Sequence, residues 1–169
     1  VSERFGDSTP VVKIDLKRAD AYELVRSDTL LASSRAVLAL GPRAPELLSK
    51  ALVRRYPDKV VVFQQGETGS TLLLVLRGEV RLFARKQSDT VELGTARKGE
   101  VLGEGEVVSG EAVRRASAVA HGSVDLAELP REALLLNGRL SPELVRVLQA
   151  VHDARLKALD EMTDFMNRW

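Results

Sequence analysis

The sequence predicts an α+β protein, with short N-terminal helices, an antiparallel β-barrel or sandwich, and one long C-terminal helix. Three observations lead there. Apolar residues recur at helical spacing from Ala19 to Leu52. Short β-rich runs with glycines between them follow from Lys59 to Leu129, at roughly 8–12-residue intervals. A four-three apolar repeat then runs from Leu144 to the final Trp169.

Residues 1–18 read as an N-terminal extension, where polar residues mixed with Val11, Val12 and Ile14 permit partial disorder. Residues 19–52 carry Leu24, Val25, Leu30, Leu31, Val37, Leu38, Leu47 and Leu48 at helical spacing. Gly41-Pro42 interrupts them and predicts at least two helices. Residues 53–136 hold the strand runs Val60–Phe63, Leu72–Leu76, Val80–Phe83, Val91–Leu93, Ala116–Ala120 and Val124–Leu129. Gly66 and Gly69 suit positive-φ turns at the start of this region. Residues 141–169 form the last helix, with Ser141 as N-cap, Pro142 at the first helical position and Glu143 at the positive end of the dipole. Its seam reads Leu144, Leu148, Val151, Arg155, Ala158, Met162, Phe165, Trp169. A stripe that deep predicts a homodimer through Leu144, Leu148, Val151, Ala158, Met162, Phe165 and Trp169, with Arg155 pairing to Asp153 or Asp160 of a parallel partner.

Composition narrows the function. The 25 Lys and Arg nearly balance the 24 Asp and Glu, which disfavours a general nucleic-acid binder. With no cysteine and only His121 and His152, thiolate chemistry and three-His metal sites are excluded. The reading therefore contains no metal and no cofactor. The longest apolar runs are far too short to span a bilayer, and a cytoplasmic location is expected. His152, beside Asp153, reads as a solvated or interfacial histidine rather than a general base. Arg114-Arg115-Ala116-Ser117 has the look of a kinase site, yet a strand position would keep a kinase from it. No nucleophile supports an enzyme.

Three blocks of sequence carry a family resemblance. Gly66-Glu67-Thr68-Gly69, a polar pair, the apolar run and Gly78-Glu79-Val80 resemble, without a gap, a stretch of cyclic-nucleotide-binding domains. Gly99-Glu100-Val101-Leu102-Gly103-Glu104 is similar to that family's Gly-Asp-x-Phe-Gly-Glu, and Arg115-Ala116-Ser117-Ala118-Val119 to its Arg-Ala-Ala-Thr-Val. The resemblance implies an eight-stranded jelly-roll-like barrel of the catabolite-activator or protein-kinase-A-regulatory-subunit type. It also implies a short helix whose first amides face a cyclic phosphate, a use that orphan N–H groups and the helix dipole favour.

On that resemblance the ligand-binding residues are Leu102, Gly103, Glu104, Arg115, Ala116 and Ser117. Glu104 takes the ribose 2′-hydroxyl and Arg115 the phosphate, with Arg114 the alternative because the arginines are adjacent. Ala116, lacking a hydroxyl, favours cAMP over cGMP. The implied function is a regulatory sensor that signals through its C-terminal helix to a protein partner not identifiable from sequence. The family uses this helix both as a lid and as a dimer seam. The sequence stops where a winged helix-turn-helix would follow in bacterial transcription factors of this barrel, so no direct DNA binding is expected. Glu106 departs from the family, standing where a small residue is usual and adding negative charge where the anion should sit. Gly105 beside it lowers helix propensity by ~1 kcal/mol. The rival reading is an interaction module that keeps the barrel without the ligand.

Overall fold

A computed structural model describes the backbone of residues 13–167 and the side chains of residues 13–161. The expectations for Val11, Val12 and Trp169, and for the side chains of Met162 and Phe165, lie outside the described residues.

The N-terminal zone opens with β1 (Ile14–Asp15), followed by α1 (Ala21–Arg26), α2 (Thr29–Ala32), α3 (Arg35–Ala39), a 3-10 turn (Gly41–Arg43) and α4 (Ala44–Lys50). Each of the first three helices starts on a capping side chain. Asp20, Asp28 and Ser34 accept from first-turn amides that would otherwise be orphaned. β1 pairs antiparallel with β2 (Leu52–Tyr56), so the end of the predicted extension belongs to the sheet.

β3 (Val61–Phe63), β4 (Thr71–Lys86), β5 (Asp89–Arg97) and β6 (Val101–Leu102) lead to α5 (Glu104–Ser109). After it come β7 (Ser117–Pro130), α6 (Arg131–Leu134) and α7 (Pro142–Asn167). The described strands form one seven-stranded sheet in the order β1-β2-β7-β4-β5, with β3 on β7 and β6 on β4. The expected α+β fold, a jelly-roll-like antiparallel sheet between N-terminal helices and a long C-terminal helix, is present. The expected count of eight strands is corrected to seven described strands in an open path. The runs around Leu72–Leu76 and Val80–Phe83 are one strand, as are those around Ala118–Ala120 and Val124–Leu129.

Gly78 explains the first merger. It sits at φ +86 and bends β4 without ending it, and the register against β7 shifts on either side of Arg77. A Cβ on Gly78 would lie 2.4 Å from the Ser123 carbonyl oxygen, so the two strands approach closely there.

β4 is apolar on both faces because it separates two cores. Leu72, Leu74 and Leu76 pack with Val25, Leu48, Val107, Leu134, Leu144 and Leu148 on the helical side. Leu73 and Val75 alternate to the other face, with Tyr56, Phe63, Leu82, Leu102 and Leu126. α7 begins as predicted, with the Leu144 amide donating to Ser141 Oγ at 3.2 Å. Leu148 is 0% and Leu144 3% exposed, so the homodimer expectation is corrected at these two positions: their burial lies inside the chain. Val151 packs partly against the same core. Among the described residues no helix is long and apolar enough to cross a membrane.

Two substitutions test this architecture in urea unfolding. Gly78→Ala should cost at least about 1–3 kcal/mol from its positive φ alone. Leu148→Ala should cost about 2–5 kcal/mol through the cavity it leaves.

Candidate ligand pocket

β6 delivers the chain to the site by pairing with β4, Leu102 opposite Leu73. Gly103 then turns the backbone at φ +79, and α5 runs until Gly110 closes it at φ +78, the Gly110 amide donating to the Glu106 carbonyl. The next segment is held by the loop after β3. The Gly66 amide donates to Arg114 O, the Arg114 amide to Glu67 O and the Gly69 amide to Ala112 O, each at 2.8 Å.

The adjacent Arg114 and Arg115 have different surroundings. Arg114 is buried at 5% exposure. It donates to Glu106 Oε1 at 2.8 Å and to Thr71 O at 2.9 Å, and its guanidinium lies 4.3 Å from the centre of the Phe63 ring. Two glycines make room for it. A Cβ on Gly103 would stand 2.6 Å from Arg114 Nη1, and one on Gly69 would stand 3.1 Å from its Nε. Gly69 has no positive φ, so its role is this close approach and not the turn expected from sequence; Gly66, at φ +93, is the turn glycine. Arg115 is half exposed and pairs with Glu111 at 3.2 Å.

A cavity of about 150 Å³ lies between the sheet, α5 and α7. Phe63, Leu82, Ala84 and Leu93 line its apolar side; Gly103, Glu104, Gly105, Glu106, Arg115 and Ala116 line the side formed by α5 and the start of β7. His152, Arg155, Leu156 and Leu159 of α7 close it. Of the six residues singled out from sequence, Gly103, Glu104, Arg115 and Ala116 share this wall. Leu102 is fully buried in the sheet-side core, and Ser117 Oγ accepts from the Gln65 amide at 2.9 Å; neither lines the cavity.

Each of the two acidic residues on this wall is held by cations. Glu104 is bonded by Arg155, which also donates to Val101 O at 2.7 Å, and His152 Nδ1 lies 3.3 Å from its other oxygen. This corrects the expectation that Arg155 pairs with a partner helix. Burial pushes the Glu104 carboxyl up, but the His152 hydrogen bond and the Arg155 charge outweigh it and hold the pKa below the ordinary value. The same hydrogen bond raises His152 against its own desolvation. Glu106 behaves oppositely: burial pushes its carboxyl above the ordinary range although Arg114 pulls it down. Gly105 also has a use, because a Cβ there would lie 2.9 Å from the His152 ring.

The family resemblance implied a lid role for α7, but the sequence reading assigned none of its residues to the pocket. Their signal was present, since residues 152, 155, 156 and 159 fall on one helical face at i, i+3, i+4 and i+7. The repeat through Leu144 and Leu148 lies on the neighbouring face.

A family model for the cyclic nucleotide-binding domain matches residues 53–136. The chain belongs to this family. It is 36% identical over 131 residues to the cyclic AMP receptor protein of Thermus thermophilus, covering 73% of this chain and 59% of that one. The CRP-like protein Clp of Xanthomonas campestris is 33% identical over 101 residues, which is 58% of this chain and 44% of Clp. The chain thus spans less than two thirds of the length of either relative. Among solved structures, the Thermus thermophilus catabolite activator protein superposes with a TM-score of 0.59 at 33% identity, covering 81% of this chain and 61% of that one. A cyclic nucleotide-binding domain from Methylobacillus flagellatus reaches 0.67 at 21% identity, covering 90% and 89%, and shows the shared fold.

The different burial of the two arginines makes a stability contrast. Arg114→Leu should cost about 3–5 kcal/mol, because it leaves the Glu106 carboxylate buried without its partner. Arg115→Ala should stay within about 0.5 kcal/mol of the parent in the same urea titration.

Proposed function

We propose that this cyclic nucleotide-binding domain is a cAMP sensor whose occupancy is reported by α7. The observation that carries the reading is that α7 forms part of the pocket wall. Arg155 and His152 hold Glu104, the carboxylate assigned by family resemblance to the ribose hydroxyl, while Leu156 and Leu159 close the cavity. At about 150 Å³ the cavity is below the roughly 300 Å³ at which pockets for drug-sized ligands begin. A nucleotide therefore enters by displacing side chains of α7, and its 2′-hydroxyl competes with Arg155 and His152 for Glu104. Occupancy and helix position are coupled through that competition. Leu102, Gly103, Glu104, Arg115, Ala116 and Ser117 remain the proposed ligand segment, with Arg115 the side chain free to swing from Glu111 to a phosphate. The chain's role is regulatory and not enzymatic.

Support for cAMP comes from the Thermus relative's name and from Ala116 on the cavity wall, where no hydroxyl is offered to a guanine. A second reading, the ligand-free interaction module, is favoured by one observation: the Glu106–Arg114 pair already neutralises the charge within α5. Calorimetry with ligand-stripped protein decides between them. Wild type should bind cAMP more tightly than cGMP, and Arg115→Ala should weaken cAMP roughly ten- to a hundredfold, as loss of a charge-assisted bond does. No binding of either nucleotide would favour the interaction module.

The homodimer is kept as a proposal for the far part of α7, through Val151, Ala158, Met162, Phe165 and Trp169, with the signal passing on to a protein partner. Light scattering at micromolar concentration should give about twice the chain mass, and Ala158→Glu should halve it. A monomeric wild type would leave α7 as an intramolecular lid.

A further inference from the structure

The nucleotide reading leaves Glu106, a charged residue of the pocket wall, without a task. It is 5% exposed, lies on the cavity wall beside Glu104, Gly105 and Arg115, and accepts from the Arg114 guanidinium at 2.8 Å. A buried guanidinium bonded to an oxyanion is a donor that a bound phosphate would use, and here a side chain of the protein already occupies it.

We propose that Glu106 is the charge gate of this pocket: its carboxylate fills the seat of the ligand's anion, so a cyclic phosphodiester binds with uptake of a proton by Glu106. The inference rests on the nucleotide-binding reading and deepens it. Two anions sharing one poorly solvated set of donors repel strongly, and protonating the carboxyl removes that repulsion while leaving the phosphate its charge.

The surrounding charges allow Glu106 this role and deny it to Glu104. Glu104, on the same helix, is held ionised by Arg155 and His152 of α7. Its negative charge adds to the burial that raises Glu106. Arg114 is the opposing cation, and the Arg115 side chain is drawn off by Glu111 at 3.2 Å. From the sheet, the cavity presents Phe63, Leu82, Ala84 and Leu93, which carry no charge. A proton is therefore taken up more readily at Glu106 than at its neighbour.

The sign follows from linkage. Glu106 is protonated in both free and bound protein at low pH, where affinity is greatest. Above its free-state pKa the bound form holds more protons, so affinity falls as pH rises, by at most about tenfold per pH unit.

The test is calorimetric titration of the full chain with cAMP from about pH 5.5 to about pH 8, in two buffers of different ionisation enthalpy. Wild type should take up a fraction of a proton per ligand, rising towards one, and lose affinity as pH rises. Glu106→Gln should bind at least about tenfold more tightly at the upper pH, with proton uptake abolished. His152→Gln should retain the uptake. Wild-type binding without proton uptake overturns the gate, as does uptake that persists in Glu106→Gln or disappears in His152→Gln. If Glu106→Gln does not fold, the wild-type proton count and the His152→Gln control decide. Absence of cAMP binding in both wild type and Glu106→Gln at every pH sinks the nucleotide reading itself, a result distinct from binding without proton uptake.

Discussion

The Arg114 guanidinium joins three parts of the site that are remote in sequence. It donates to the Thr71 carbonyl at the start of β4 and to Glu106 in α5, and it stacks on Phe63 from β3. A buried cation needs all of this, because desolvation is repaid only when its donors are filled and an anion is close. The requirement reaches outward. Glu106 supplies the nearby acceptor, and Gly69 and Gly103 must lack side chains. The loop from Gly66 to Gly69 is fastened to residues 112–114 by three backbone bonds around the same group. The turn into α5 and the start of β7 are thereby held together before any ligand is considered.

With that frame in place, the two pocket carboxylates divide the work by their neighbours. Glu106 belongs to the frame, being satisfied by Arg114 and shielded from solvent. Glu104 is tied instead to α7, since its partners are donors on that helix. α7 itself has two roles along its length. Its first turns are core, with Leu144 and Leu148 fully packed, and the turns from His152 to Leu159 are pocket wall. A helix anchored at one end in this way can pivot farther along without unfolding its base.

Much of the fold was legible in the sequence because its signals are local. Ser141-Pro142 marked the start of α7, and the glycine-punctuated β runs marked the sheet. The inference from glycine to chain reversal held at Gly66 and failed at two positions inside the sheet. Gly78 and Gly122, both at positive φ, lie inside long strands and bend them, so four expected strands became two. The family blocks singled out Gly103, Glu104, Arg115 and Ala116, and these four share one wall of the cavity. Which adjacent arginine is buried was not legible, because two neighbouring residues of the same type carry no local signal that tells them apart. Glu106 and the glycines at 69 and 103 held that information jointly, as counter-ion and as empty volume. Arg155 was misassigned because the seam through Leu144 and Leu148 sets a face without saying what opposes it.

The pairing of β4 with β7 reaches from Thr71–Pro130 at one end to Phe83–Ser117 at the other. On the ribosome, β4 emerges long before the strand that covers it. Until β7 follows, Leu72 to Leu76 offers an uninterrupted apolar edge to any passing chain. The nascent polypeptide therefore crosses a stretch of synthesis in which its stickiest segment is complete and its shield is not. Slowing translation after β4 has left the ribosome but before β7 has would prolong that exposure, whereas slowing it once both have emerged would not.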